Sequence, residues 1–214
     1  MNTTAIDLCG ERLLLHPERA LYWPRRRTLF VADTHLGKGS VFRRAGLAVP
    51  AGTSDDDLAR LEQLVAERGA ERLIVLGDFM HAPPMAGDCW PASVAAWLQA
   101  HRQLQVVVIA GNHDAGFRVP ADWDIDWRHQ AWDEPPFSYV HEPTTETSAH
   151  ALAGHWHPTV SLRDGRERVR VPAFVLEAGL TVLPAFGRFT GGQVIEPDGR
   201  TLYGVAGDRV LELG

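Results

Sequence analysis

The residues best suited to chemistry fall in five short clusters. Asp33 and His35 lie two apart, Asp78 follows Gly77, and Asn112, His113 and Asp114 run on from Gly111. His141 stands by itself, and His155 and His157 follow Gly154 with Trp156 between them. Each cluster comes directly after a strand-like segment: Leu29–Ala32, Leu73–Leu76, Val106–Ala110, Phe137–Val140 and Ala151–Ala153. Short apolar runs that stop abruptly read as buried strands, and the loops that follow such strands are where α/β proteins place their chemistry. Carboxylate, imidazole and amide oxygen delivered by five loops predict one metal site. A mixed nitrogen and oxygen donor set suits Mn²⁺, Fe²⁺ or Zn²⁺ better than Mg²⁺ or Ca²⁺, which favour oxygen shells.

The elements that must position these groups can be read along the chain. Residues 12–23 read as a hairpin, with Pro24 and Arg25 to Arg27 as a polar turn. Residues 36–53 carry too many Gly and Pro for one long helix and read as a loop with a helical piece. Ser54 opens a helix, with Ser54 and Asp57 spaced as a capping box and Leu58, Leu61, Leu64 and Val65 as its apolar stripe. Gly69 stops it. Strand, helix, strand implies a parallel pair with a right-handed crossover. A second helix is expected over Ser93–His101. From Phe137 onward the pattern is mostly β, with separate strands expected at Arg168–Val171 and Ala173–Leu176 on either side of Pro172 and turns at Asp164-Gly165, Asp198-Gly199 and Gly207-Asp208. The expected fold is α/β, two packed mixed sheets with helices outside, in a single domain over residues 1–214.

Bulk properties narrow the function. The chain has 214 residues, 45% of them hydrophobic and 22% charged, as in soluble globular proteins. Neither a membrane span nor a signal peptide is recognisable, so a cytoplasmic location is expected. Cys9 and Cys89 are far apart in sequence and are expected to be free thiols. The formal charge of −6 argues against a general electrostatic grip on nucleic acid. Lys38, Arg43 and Arg44 follow the first cluster and are candidates for contacting a phosphate chain. His81, just after Asp78, either lines the site or decorates its loop. Trp156 must point away from its two neighbours if that segment is extended.

In chain order, Asp33-x-His35, Gly77-Asp78, Gly111-Asn112-His113-Asp114, His141 and Gly154-His155-x-His157 resemble the calcineurin-like metallophosphoesterase superfamily. The resemblance implies a four-layer αββα sandwich and two divalent ions. Asp33, His35 and His157 would hold one ion, Asn112, His141 and His155 the other, and Asp78 would bridge them. By formal counting such a centre keeps about two positive charges, or about one with a bridging hydroxide. It would attract phosphate and lower the pKa of bound water toward ~7. His113, not a ligand in the family pattern, is the candidate general acid for the leaving oxygen, with Asp114 accepting from its other ring nitrogen.

A narrower likeness lies in Leu21-Tyr22-Trp23-Pro24, Val31 to Lys38, His141-Glu142-Pro143 and Gly154 to Pro158. These segments resemble the bacterial ligase-associated DNA damage response endonuclease family, over most of the chain. Thr34 stands where that family's motif has Leu, at a position that is not a ligand. The resemblance implies a manganese-preferring phosphodiesterase, encoded beside a DNA ligase, a helicase and an exonuclease and acting in DNA repair. A homodimer is expected from the family and from the seven Trp residues. The alternatives are a phosphomonoesterase for a nucleotide or small metabolite, and a non-catalytic interaction scaffold, since fold alone does not fix function.

Overall fold

A computed structural model describes residues 2–164 and 167–213. The first sheet is built in chain order from β1 (Thr4–Leu8), β2 (Glu11–His16), β3 (Ala20–Trp23), β4 (Thr28–Val31), β5 (Arg72–Leu76), β6 (Gln105–Ile109) and β7 (Asp126–Arg128). β1 to β4 pair antiparallel, and β4 to β7 pair parallel. Three helices interrupt the parallel half: α1 (Lys38–Arg44), α2 (Thr53–Arg68) and α3 (Trp90–Ala100). Fully buried Leu29, Val31, Ile74, Val75, Val107 and Val108 explain why β4, β5 and β6 read as continuous apolar runs.

The second sheet contains β8 (Trp132–Glu134), β9 (Phe137–Tyr139), β10 (His150–Ala153), β11 (Pro158–Asp164), β12 (Glu167–Glu177), β13 (Leu180–Val182), β14 (Gln193–Val194), β15 (Thr201–Ala206) and β16 (Arg209–Leu213). β9, β10 and β13 are parallel, and β12 pairs antiparallel with β11, β13 and β15. Phe30, Ile74 and Val107 of the first sheet and Tyr139, Leu152 and Phe174 of the second share the core between the sheets. A second cluster sits under the helices, where Leu58, Leu61, Leu64, Val94 and Trp97 pack on Leu29, Leu73 and Val106. The expected two-sheet α/β sandwich is therefore the fold. Its helices cover the first sheet. The second sheet's other face is packed by Val160 with Trp156, Leu162 and Ile195, and no helix follows Ala100 among the described residues.

Several local readings change. The Ser54–Asp57 capping box does not form: α2 is capped by the backbone of Gly52, and no side chain caps it. Ser54 Oγ instead accepts the Gly37 N–H at 3.0 Å, and Asp57 pairs with Arg60 at 2.8 Å. Both polar side chains serve tertiary partners, which outbid local capping. The strands expected on either side of Pro172 are one strand, β12, continuous through the proline. The Asp164-Gly165 turn falls partly outside the described residues. Cys9 and Cys89 are free and exposed. No helix among the described residues is long and apolar enough to cross a membrane.

Candidate metal centre

Five strand ends on two sheets meet at one place. β4 delivers Asp33 and His35, β5 delivers Asp78, and β6 delivers Asn112 and His113. β9 leads to His141, and β10 leads to His155 and His157. The loops are stitched to one another by backbone hydrogen bonds. Asp33 N–H donates to Gly77 O (3.1 Å), His35 N–H to Asp78 O (2.8 Å), and Gly154 N–H to His141 O (3.1 Å). The Asp33 carboxylate accepts the His155 N–H at 2.9 and 3.1 Å, which fastens the two sheets together at the site.

The backbone at the centre is bent sharply. Asp33, His35, Asp78, His155 and His157 all have positive φ, from 45° to 69°. Such a conformation costs a non-glycine residue roughly 1–3 kcal/mol and persists where surrounding structure imposes it. The His155–His157 segment is therefore not extended, and its two imidazoles do not converge by strand alternation as the sequence suggested. Each is turned inward by its own left-handed residue, while Trp156 packs toward the outer face of the second sheet. The glycines of the motifs make the close approach possible. A Cβ on Gly77 would overlap the His141 ring, and one on Gly111 would overlap Asp78.

Two ligand sets share one carboxylate. Asp33, His35, Asp78 and His157 place one donor atom each within 4.8 Å of one another, and so do Asp78, His141 and His155. The two oxygens of Asp78 face opposite ways: Oδ2 lies 3.8 Å from His35 Nε2, and Oδ1 lies 3.5 Å from His141 Nε2. Asn112 Oδ1 lies 3.0 Å from His141 Nε2, on the second side. The seven expected ligands are thus together.

The donor chemistry fits cations. Asp33 and Asp78 are 0% and 2% exposed, and among the described residues no Lys or Arg lies within ion-pair distance of either. Buried carboxylates without a counter-charge are expensive, so the arrangement calls for positive charge. Imidazole nitrogens face each other in the same way: His35 Nε2 and His157 Nε2 are 3.2 Å apart, and His141 Nε2 and His155 Nδ1 are 3.0 Å apart. Burial, then Lys38 and the neighbouring imidazoles, push the His35 pKa down to about 2, so its ring is neutral and its lone pair free for a metal. His141 Nδ1 meets Leu76 O at 3.3 Å, which turns Nε2 toward the centre.

Beside the ligands, His113 and His81 stack with ring centroids 4.9 Å apart, and both lie near His35. His113 Nδ1 donates to the His81 carbonyl at 2.7 Å, leaving Nε2 free. His81 therefore lines the site; burial first, then Lys38, lowers its pKa to about 4. Asp114 does not orient His113, contrary to the sequence reading. Its buried carboxylate accepts from Phe79 N–H (3.0 Å), Met80 N–H (3.0 Å) and Gly111 N–H (2.9 Å), which locks the loop after β5 to the loop after β6. The Nδ1 proton of His113 goes to the His81 carbonyl instead of to this carboxylate.

The basic residues divide. Burial lowers the Lys38 pKa, opposed by the charges of Asp78 and Asp33, and its ammonium lies 5.8 Å from the centre of the Phe42 ring. Arg43 is taken up by Pro50 O (2.7 Å) and Ser40 Oγ (3.0 Å), and Arg44 by Asp88 (2.6 Å). Both arginines brace loops rather than reach the centre. His16 and His150 hydrogen-bond within the fold, and His101 stacks on Trp97. Phe189, which the sequence did not flag, lines a water-sized niche of about 10 Å³ with His35 and Lys38.

This fold and ligand geometry are those of a phosphoesterase. Residues 26–186 match the family model described as calcineurin-like phosphoesterase, and the chain belongs to that family. Among solved structures it is similar to the Pseudomonas putida nuclease MPE, with 41% identity, a TM-score of 0.87, and 99% of this chain and 100% of that one covered. A looser likeness is to YfcE, a phosphoesterase from E. coli, at 18% identity and TM-score 0.43, covering 87% of this chain and 97% of that one. No curated protein matches the chain significantly.

Proposed function

We propose that the protein is a two-metal phosphodiesterase that cleaves nucleic acid, with DNA as its substrate and Mn²⁺ as its working metal. The observation that carries this reading is Asp78, whose two oxygens face two separate sets of histidine and oxygen donors. Likeness over the whole chain to a protein described as a nuclease supports the choice of substrate. Asp33, His35 and His157 would hold one ion, Asn112, His141 and His155 the other, with Asp78 common to both. When bound, the ions supply an activated water and neutralise charge on phosphorus.

The chain's own groups do the rest. Lys38 meets a non-bridging phosphate oxygen from the His35 side of the centre. His113, held by the His81 carbonyl through Nδ1, presents Nε2 to the leaving oxygen and gives it a proton. The stacked His81 ring keeps His113 in place. The role beside a ligase, a helicase and an exonuclease follows from the narrower family resemblance.

The test is hydrolysis of bis-p-nitrophenyl phosphate against p-nitrophenyl phosphate by Mn²⁺-reconstituted protein, followed by a DNA oligonucleotide. Diester and DNA cleavage, both abolished in Asp78→Ala, are expected. Turnover of the monoester alone would replace this reading with a phosphomonoesterase, and turnover of neither would point to the scaffold.

A further inference from the structure

The loop after β13 holds an aromatic side chain that the packing of the fold does not use. Its first part is clamped on every side. Phe186 N–H donates to Ala32 O at 2.7 Å and Gly187 N–H to Asp33 O at 3.2 Å. Arg60 Nη1 donates to Phe186 O at 3.0 Å, and Arg19 Nη1 to Ala185 O at 3.3 Å. A Cβ on Gly187 would lie 2.6 Å from Thr34 O, so the loop is seated directly on the turn that presents Asp33 and His35.

From this braced base Phe189 projects into solvent. It is 42% exposed and belongs to none of the three apolar clusters. The other strongly exposed large apolar residues among those described, Leu47, Met85, Val169 and Leu211, are aliphatic. Single exposed apolar residues are common and by themselves mean nothing. The position of this one is what matters, because its loop is hydrogen-bonded to the turn that holds Asp33, and Phe189, Lys38 and the candidate ligand His35 line one water-sized niche of about 10 Å³. A flat ring on a fixed backbone beside a cation and a phosphate-binding centre matches the way proteins hold nucleotides: backbone charge on basic groups, base faces on aromatic rings.

We propose that Phe189 is a substrate-positioning residue that stacks on the base of the nucleotide flanking the scissile phosphate. The inference rests on the nucleic-acid phosphodiesterase reading above and deepens it. It assigns the exposed face of Phe189, beside Lys38, as a base-stacking subsite. The ring does not touch the reacting atoms, so its contribution falls on substrate binding and leaves the chemical step alone.

The test compares wild type, Phe189→Ala and Phe189→Trp on an oligothymidylate and on the same oligomer with abasic residues. Mn²⁺ affinity and melting temperature, measured in parallel, should match among the three proteins. Phe189→Ala should raise KM on oligothymidylate roughly tenfold, the scale of one lost base stack, with kcat within about twofold. Phe189→Trp should restore the wild-type value. On the abasic oligomer wild type and Phe189→Ala should be alike. Equal KM for wild type and Phe189→Ala on oligothymidylate would overturn the stacking role while the phosphodiesterase reading stands. If wild type cleaves neither oligomer but hydrolyses bis-p-nitrophenyl phosphate, the nucleic-acid reading itself fails and the subsite falls with it.

Discussion

Replacing Asp114 by Asn separates two accounts of a residue that lies next to the candidate general acid. The structure gives it three backbone donors: Phe79 and Gly111 on Oδ2 and Met80 on Oδ1. An Asn side chain can keep its oxygen on the Oδ2 side, but its amide then faces the Met80 N–H donor to donor. One charge-assisted bond is lost, a buried N–H is left without a partner, and the other two bonds weaken to neutral strength. At about 1.5–3 kcal/mol for a bond to a charged group, with the weakening added, Asp114→Asn should cost about 2–4 kcal/mol. For a chain of this length that lowers the melting temperature by about 4–16 °C. The assay is thermal melting at pH 7.5, alongside kcat at a temperature where both proteins are folded. A large fall in melting temperature with kcat reduced less than about tenfold is expected. An unchanged melting temperature with kcat lowered a hundredfold or more would refute the clamp and restore Asp114 as the partner of the His113 ring.

Gly77→Ala should weaken Mn²⁺ binding about 10–100-fold by calorimetry, because its φ is +80° and the new Cβ would displace the His141 ring; wild-type affinity would contradict that packing. Lys38→Ala should raise KM for a phosphodiester roughly tenfold, while Arg43→Ala and Arg44→Ala stay within about twofold, since both arginines are held by their own loops. Equal effects from all three would mean a diffuse basic surface. His16 supplies a pH test. Burial, with Arg68, holds its pKa below the ordinary value against the pull of Glu67 and Glu18. The unfolded chain therefore takes up the proton first, so this stability is complete above about pH 6.5 and is lost as pH falls through that value toward the folded pKa. Melting temperature should fall between pH 7.5 and 5.5 in the wild type and fall less in His16→Asn; parallel slopes would remove His16 from the account.

The convergence of the candidate ligands was legible in the sequence because each sits where an apolar strand stops, and that pattern survives in any one-dimensional reading. β4, β5 and β6 are buried on both faces and therefore announce themselves as unbroken apolar runs. What escaped were features decided by partners distant in sequence. Ser54 and Asp57 have cap spacing, yet Gly37 and Arg60 claim them. Asp114 neighbours His113 in sequence but is consumed by amides from two loops. Arg43 and Arg44 look like phosphate ligands until Pro50, Ser40 and Asp88 are brought beside them. β11 opens on a proline and gave no strand signal, and β12 crosses Pro172 where the sequence implied a break. The left-handed turns at His155 and His157 carry no signal in residue type, since neither position is glycine or asparagine.

The central claim is that Asp78 stands between two cation sites. Counting manganese bound per chain tests it most directly, by calorimetry on metal-free protein with elemental analysis of the loaded form. Two ions per chain in the wild type, and loss of tight binding at both positions in Asp78→Ala, are predicted. A single ion in the wild type, or two ions retained by Asp78→Ala, would contradict the shared-carboxylate centre.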